Sequence, residues 1–214
     1  MKKIILAITG ASAAPVGIRL MEALGQNSGV ELSLVVSANA LATLRLETGI
    51  NFGQSLEEIR AAVHDNFSSA RPIQVYDAGD MGAPIASGSH KADAMIIAPC
   101  SMSTLGAVAS GITMNLIHRA ASVMLKEKRT LILVPRESPL SPIHLKNMWD
   151  LCRIGVHIVP ATLAFYTGPV KVADLVDFVC ARVLDLARIE HRLSKRWEGK
   201  APDEFHPRIQ GYLG

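Results

Sequence analysis

Five short apolar runs, each passing straight into a turn of small or polar residues, constrain this chain more than any other feature. Lys3 to Thr9 is rich in Ile and lacks polar alternation, the pattern of a strand covered on both faces. Glu31 to Ser37, Ala94 to Ala98, Thr130 to Pro135 and Val156 to Val159 repeat it. Between the runs, apolar residues recur at helical spacing, as Ile18, Leu20, Met21 and Leu24 do within Val16 to Gly25. Further helices are predicted over Ala38 to Glu47, Ser103 to Ala109, Asn115 to Lys126, Pro139 to Ile154 and Val172 to Leu193. Strands alternating with helices at this spacing form right-handed βαβ units. The expected fold is therefore α/β, a flavodoxin- or Rossmann-like three-layer arrangement around a doubly wound parallel sheet. Gly49 to Ala92 is the least regular stretch, a helix near Ser55 to Val63 followed by a loop of Gly, Pro, Asp and Ser. No linker or repeat divides the chain. One domain is expected over residues 1–193, with a tail over 194–214 that packs at a subunit interface or over an active site.

Composition narrows the function. A chain of 214 residues with 49% hydrophobic and only 19% charged residues carries fewer surface charges than most soluble monomers, which points to burial between subunits. A net charge of +3 is too small and dispersed for nucleic acid. Cys100, Cys152 and Cys180 lack metal-ligand spacing and read as reduced thiols. No apolar stretch reaches the roughly 18 residues needed to span a bilayer. Ile4 to Ile8 is also too short for a signal peptide's apolar region, so the expected location is the cytoplasm.

In a doubly wound sheet, ligands bind beyond the carboxyl ends of the strands. Those edges here carry Thr9-Gly10-Ala11-Ser12, then Ser37, then Pro99-Cys100-Ser101-Met102-Ser103-Thr104, then Arg136-Glu137-Ser138, with Phe165-Tyr166 a little beyond the fifth strand. Small residues let backbone N–H groups approach an anion at a helix N-terminus, and hydroxyls and an arginine add charge-assisted bonds, so the set suits a phosphate. The first turn lacks Gly-x-Gly-x-x-Gly and Gly-Lys-Ser/Thr, which disfavours a dinucleotide and excludes a P-loop. Ordinary helix capping would also account for the turn taken alone.

Arg136-Glu137 delivers opposite charges to the sheet rim, where the plain alternative is a solvated ion pair. Arg119 and Lys126, seven residues apart, share a helix face. Glu47 closes a helix, where its charge opposes the dipole unless it has a task or a nearby cation.

Taken in order, the motifs resemble the flavin prenyltransferase family over roughly residues 1 to 199. They are Ile8-Thr9-Gly10-Ala11-Ser12, Leu46-Glu47-Thr48, Ala86-Ser87-Gly88-Ser89 and Pro99-Cys100-Ser101 in the first half. The second half adds Arg119-Ala120-Ala121, Leu125-Lys126-Glu127, Pro135-Arg136-Glu137-Ser138-Pro139-Leu140, Ala164-Phe165-Tyr166, Arg182-Val183-Leu184-Asp185 and Arg196-Trp197. The resemblance implies a dodecamer with FMN bound between subunits. It implies transfer of a dimethylallyl group from dimethylallyl monophosphate to reduced FMN, first at N5 and then at C6, without a metal. The prenylated FMN would serve a UbiD-type decarboxylase.

By the same resemblance, Gly10, Ala11, Ser12, Ser37, Ser101, Met102, Ser103, Thr104 and Arg136 hold FMN. Arg119, Lys126, Glu137, Tyr166, Arg182 and Trp197 surround the allyl donor, and Glu137, Glu47, Ser12 and Lys126 are the catalytic set. Ala13 stands where the family commonly has Gly, and Met81 lies in a loop that carries Trp in some members. Two rivals stay open: an FMN-dependent oxidative decarboxylase of the cysteine type, with His90 as its histidine, and a non-catalytic flavin-binding partner.

Overall fold

The structure is a computed structural model describing residues 1–194, 196 and 199. Among these, six strands form one parallel sheet: β1 (Lys2–Ile8), β2 (Val30–Val36), β3 (Gln74–Tyr76), β4 (Ala94–Cys100), β5 (Thr130–Pro135) and β6 (His157–Ile158). Their spatial order is β3-β2-β1-β4-β5-β6, the doubly wound order in which the chain reverses direction between β1 and β4. The helices are α1 (Ala14–Gln26), α2 (Ala38–Thr48), α3 (Leu56–Asn66), α4 (Met102–Ala109), α5 (Leu116–Lys126), α6 (Pro142–Arg153) and α7 (Val172–Leu186).

The unbroken apolar runs follow from the layers. Ile4, Leu6 and Ile8 of β1 pack under α1, α2, α3 and α7, while Ile5 and Ala7 pack under α4 and α5 on the other face. A strand covered on both sides has no wet face, so alternation disappears. Gly17 of α1 lets that helix lie close to β4, because a Cβ there would come 2.6 Å from the carbonyl oxygen of Ala98.

Three elements differ from the sequence expectation. β3 lies inside the stretch read as loop; it has three residues and only Val75 is buried, so it carries no run to detect. α6 begins at Pro142 rather than Pro139, capped by Ser141, whose hydroxyl accepts from the His144 N–H at 3.2 Å. α7 stops at Leu186 rather than Leu193, since Arg188 turns left-handed at φ 55° and Lys2 Nζ takes the carbonyls of Ala187 and Arg188 at 3.2 and 2.8 Å.

Gly17→Ala is expected to destabilise the protein by about 1–3 kcal/mol through overpacking against β4. The urea unfolding midpoint measures this; an unchanged midpoint would mean α1 is free to move outward.

Candidate active site

Because the chain departs from β1 and β4 toward opposite sides, their carboxyl ends flank a crevice. Thr9, only 2% exposed, holds the crevice together. Its Oγ1 donates to the Pro99 carbonyl at 2.8 Å and accepts from the Ser101 N–H at 2.8 Å. Its own N–H also donates to Pro99 O at 3.2 Å. Ser101 then caps α4, accepting the Thr104 N–H at 3.2 Å, with its hydroxyl 3.0 Å from both Ser103 Oγ and Thr104 Oγ1. The Gly10–Ser12 turn and the start of α4 are thus fixed side by side.

α1 starts from Ala13, which adopts φ 85° and makes no side-chain cap. Glu47, one residue from the end of α2, supplies the cap instead, its Oε2 accepting the N–H groups of Ala13 and Ala14 at 3.0 and 2.8 Å. This answers the dipole question that Glu47 posed: the positive end of α1 compensates a carboxylate placed at the negative end of α2.

The N-terminus of α2 is organised differently. Its first-turn residues Ala38 and Asn39 are exposed, and Ser37 at the N-cap makes no capping bond. Ser37 Oγ is nevertheless buried and has no hydrogen-bond partner. An orphan buried hydroxyl costs about 1–3 kcal/mol, and beside an open helix N-terminus it fits a phosphate oxygen. Gly10 lies against this turn, since a Cβ there would come 2.7 Å from Asn39 Cβ.

The other predicted residues fall into separate groups. Arg136 and Glu137 stand exposed just past β5, with the Ser138 N–H donating to Glu137 Oε1 at 3.1 Å. Tyr166 lies in the segment between β6 and α7, its ring 5.7 Å from Phe178 and edge-on. These sit at the carboxyl edge with the crevice. Arg119 and Lys126 share one face of α5, as their spacing predicts. Arg119 Nε donates to Ala86 O at 2.9 Å, and Lys126 contacts Glu127 beside Gly88. Lys126 ends α5 just before β5 begins, so the length of β5, about 20 Å at ~3.3 Å per residue, separates its end of the sheet from Glu137. Arg182 lies toward the end of α7, 3.1 Å from Asp185. One chain therefore does not bring Lys126 to Glu137. Trp197 lies outside the described residues.

Three residues have duties that sequence reasoning did not assign. Thr9 was legible as a polar residue closing an apolar strand. Arg129, hidden in a charged run, donates to His90 O and Gly88 O at 2.6 and 2.8 Å. Asp185 also takes Arg196 Nη2 at 2.7 Å and His191 Nε2 at 3.1 Å. Burial pushes the Asp185 carboxyl up, but the bonds from Arg196 and His191 outweigh this and hold it below its usual range.

Burial raises the Cys100 thiol well above its ordinary range, so it stays protonated and is no nucleophile. Burial, together with Lys3 and Arg129, keeps the His90 imidazole below its usual value. His90 stands before the amino end of β4, opposite the Pro99–Ser101 segment, where an oxidative decarboxylase would need it. Among the described residues, no cluster of His, Cys, Asp or Glu is placed to hold a metal, and no helix is long and apolar enough to cross a membrane.

The site so built is that of a doubly wound nucleotide-binding protein, and comparison with known proteins gives its class. The Flavoprotein family matches residues 1–184. Flavin prenyltransferase UbiX of Pseudomonas aeruginosa is 44% identical over 197 residues, covering 92% of this chain and 94% of that one. The structure of AnUbiX (PadA1) in complex with FMN and dimethylallyl pyrophosphate is similar, with a TM-score of 0.83 and 42% identity over 94% of this chain and 99% of that one. A dodecameric FMN-dependent UbiX-like decarboxylase from Escherichia coli O157:H7 gives 0.82 and 43% over 92% of this chain and 100% of that one. The chain belongs to the Flavoprotein family and, within it, to the flavin prenyltransferases.

Thr9→Val keeps the shape but leaves the Ser101 N–H and one acceptor position on Pro99 unpaired. It is expected to cost about 2–3 kcal/mol in chemical denaturation, largely restored by Thr9→Ser. A loss below ~0.5 kcal/mol would show that the two strand ends hold together without this hydroxyl.

Proposed function

We propose that the protein transfers a dimethylallyl group from dimethylallyl monophosphate to reduced FMN, and that the prenylated FMN supplies a UbiD-type decarboxylase. The observation that carries this reading is Ser37, whose buried unpartnered hydroxyl beside the open start of α2 suits the phosphate of a mononucleotide. Gly10, Ala11 and Ser12, with Ser101, Met102, Ser103 and Thr104, line the crevice next to it. Arg136 adds a cation from the end of β5. Residues 1–193 form this flavin-binding domain.

Reduced FMN, when bound, supplies the nitrogen and carbon that accept the allyl group. The protein's own residues manage charge and protons. Breaking the allylic C–O bond leaves a phosphate, and Arg119, Lys126, Tyr166 and Arg182 hold it in place of a magnesium ion. Glu137 takes the proton released on ring closure, directly or through the phosphate. Glu47 Oε2 is occupied by the N–H groups of Ala13 and Ala14, and its other oxygen, with Ser12, orients the flavin and shuttles protons near N5. Trp197 offers an aromatic face to the allyl cation.

Glu137 at one edge of the sheet and Lys126 at the other serve one reaction only where copies of the chain meet. We therefore read the protein as a homo-oligomer, and the dodecameric Escherichia coli relative supports twelve copies. The thiols Cys100, Cys152 and Cys180 are all free, which fits a cytoplasmic enzyme.

Anaerobic incubation with reduced FMN and dimethylallyl monophosphate should add one C5 unit to the released flavin by mass. Glu137→Gln should slow this by about 100-fold or more; a flavin of unchanged mass from the wild type would sink the reading. Mixed oligomers of Glu137→Gln and Lys126→Ala chains should regain activity that neither variant has alone. No recovery would mean that each chain completes its own site.

A further inference from the structure

Residues 86–90, Ala86-Ser87-Gly88-Ser89-His90, lead along α5 from a 3₁₀ turn (Pro84–Ala86) toward the start of β4, without a ladder to satisfy their carbonyls. Arginines satisfy them instead. Arg119 takes Ala86 O, and Arg129 takes both Gly88 O at 2.8 Å and His90 O at 2.6 Å. The Arg129 side chain is only 20% exposed, so this fork is shielded from competing water. Within the loop, Ser87 Oγ and Ser89 Oγ are 2.8 Å apart, and the His90 N–H donates to Ser87 O at 3.2 Å.

The loop is also pressed onto the end of α5. A Cβ on Gly88 would come 2.5 Å from Glu127 Oε1 and 2.6 Å from Lys126 Nζ. Glu127 contacts Lys126 with one oxygen and lies 3.8 Å from Arg129 Nη2 with the other. Lys126 holds the Glu127 carboxyl below its usual range, with a smaller effect from Arg129. Lysine, carboxylate, arginine and loop therefore form one connected unit.

We propose that Arg129 is a positioning residue: by clamping Gly88 and His90 it fixes the Ser87 and Ser89 hydroxyls beside Lys126, and so sets how tightly the donor's phosphate is held. The inference rests on the reading of Lys126 as a phosphate-binding residue. Two carbonyls met by one planar fork is a task for guanidinium; a lysine ammonium keeps the charge but not the geometry.

The test compares R129K and E127Q with the wild-type oligomer. R129K is expected to raise KM for dimethylallyl monophosphate about tenfold, with kcat within about threefold and FMN affinity, read by flavin fluorescence, within about twofold. Amide hydrogen exchange should quicken over residues 86–91 and stay unchanged in β1 and β2. An unchanged KM, or parallel losses of donor and FMN binding with a lowered melting temperature, would overturn the proposal. E127Q keeps both carbonyl bonds, so it should raise KM about threefold without altering exchange over 86–91; an unchanged KM there breaks the link to Lys126. If the wild type fails to prenylate FMN, the reading of Lys126 falls separately. Exchange in R129K then decides the clamp alone, and unchanged exchange overturns it.

Discussion

Thr9 Oγ1 donates to the carbonyl of Pro99 and accepts from the N–H of Ser101, and through it the ends of β1 and β4 are held as one unit. The β1–β4 ladder pairs Ile4 through Ala7 with Ala94 through Ile97, and the strands have no further register beyond that point. The Thr9 hydroxyl continues the connection where the ladder stops. It does so in a dry environment, where a hydrogen bond is stronger and an unpaired group more costly than in water. From this junction α1 and α4 set out over opposite faces of the sheet, and the space between their first turns is the crevice.

Charge follows an economical pattern away from the junction. Asp185 serves Arg182, His191 and Arg196 at once, and Glu127 serves both Lys126 and Arg129. Each carboxylate keeps its cations ordered without cancelling them, so both clusters stay positive overall. With only 19% of residues charged, this placement gathers a modest positive excess at two points of the surface.

Much of this was legible in the sequence because burial on two faces leaves a simple mark. β5 was found at its observed bounds, and β1, β2 and β4 to within two residues at either end, since each is a continuous apolar run set off by small or polar residues. β3 left no such mark. The end of α7 was missed because a left-handed Arg188, not a glycine or proline, terminates it. The carboxyl-edge residues were readable from topology alone, as strand ends are where such sheets bind. The duties of Glu47, Arg129 and Asp185 were not readable, because each is defined by partners at least 33 positions away or by several partners sharing one carboxylate. The separation of Lys126 from Glu137 was implicit in the sequence reading, since a helix ending at Lys126 and a strand over Thr130 to Pro135 put the two at opposite ends of that strand.

The strand order here is the one associated with dinucleotide cofactors, whose pyrophosphate rests on the first helix after β1. In this protein that seat already holds a negative charge, the carboxylate of Glu47 on the N–H groups of Ala13 and Ala14. A second anion arriving there would meet like-charge repulsion and donors already engaged. The anion seat on α1 is thus filled from within the protein, while the first turn of α2 stays open beside the unpartnered Ser37 hydroxyl.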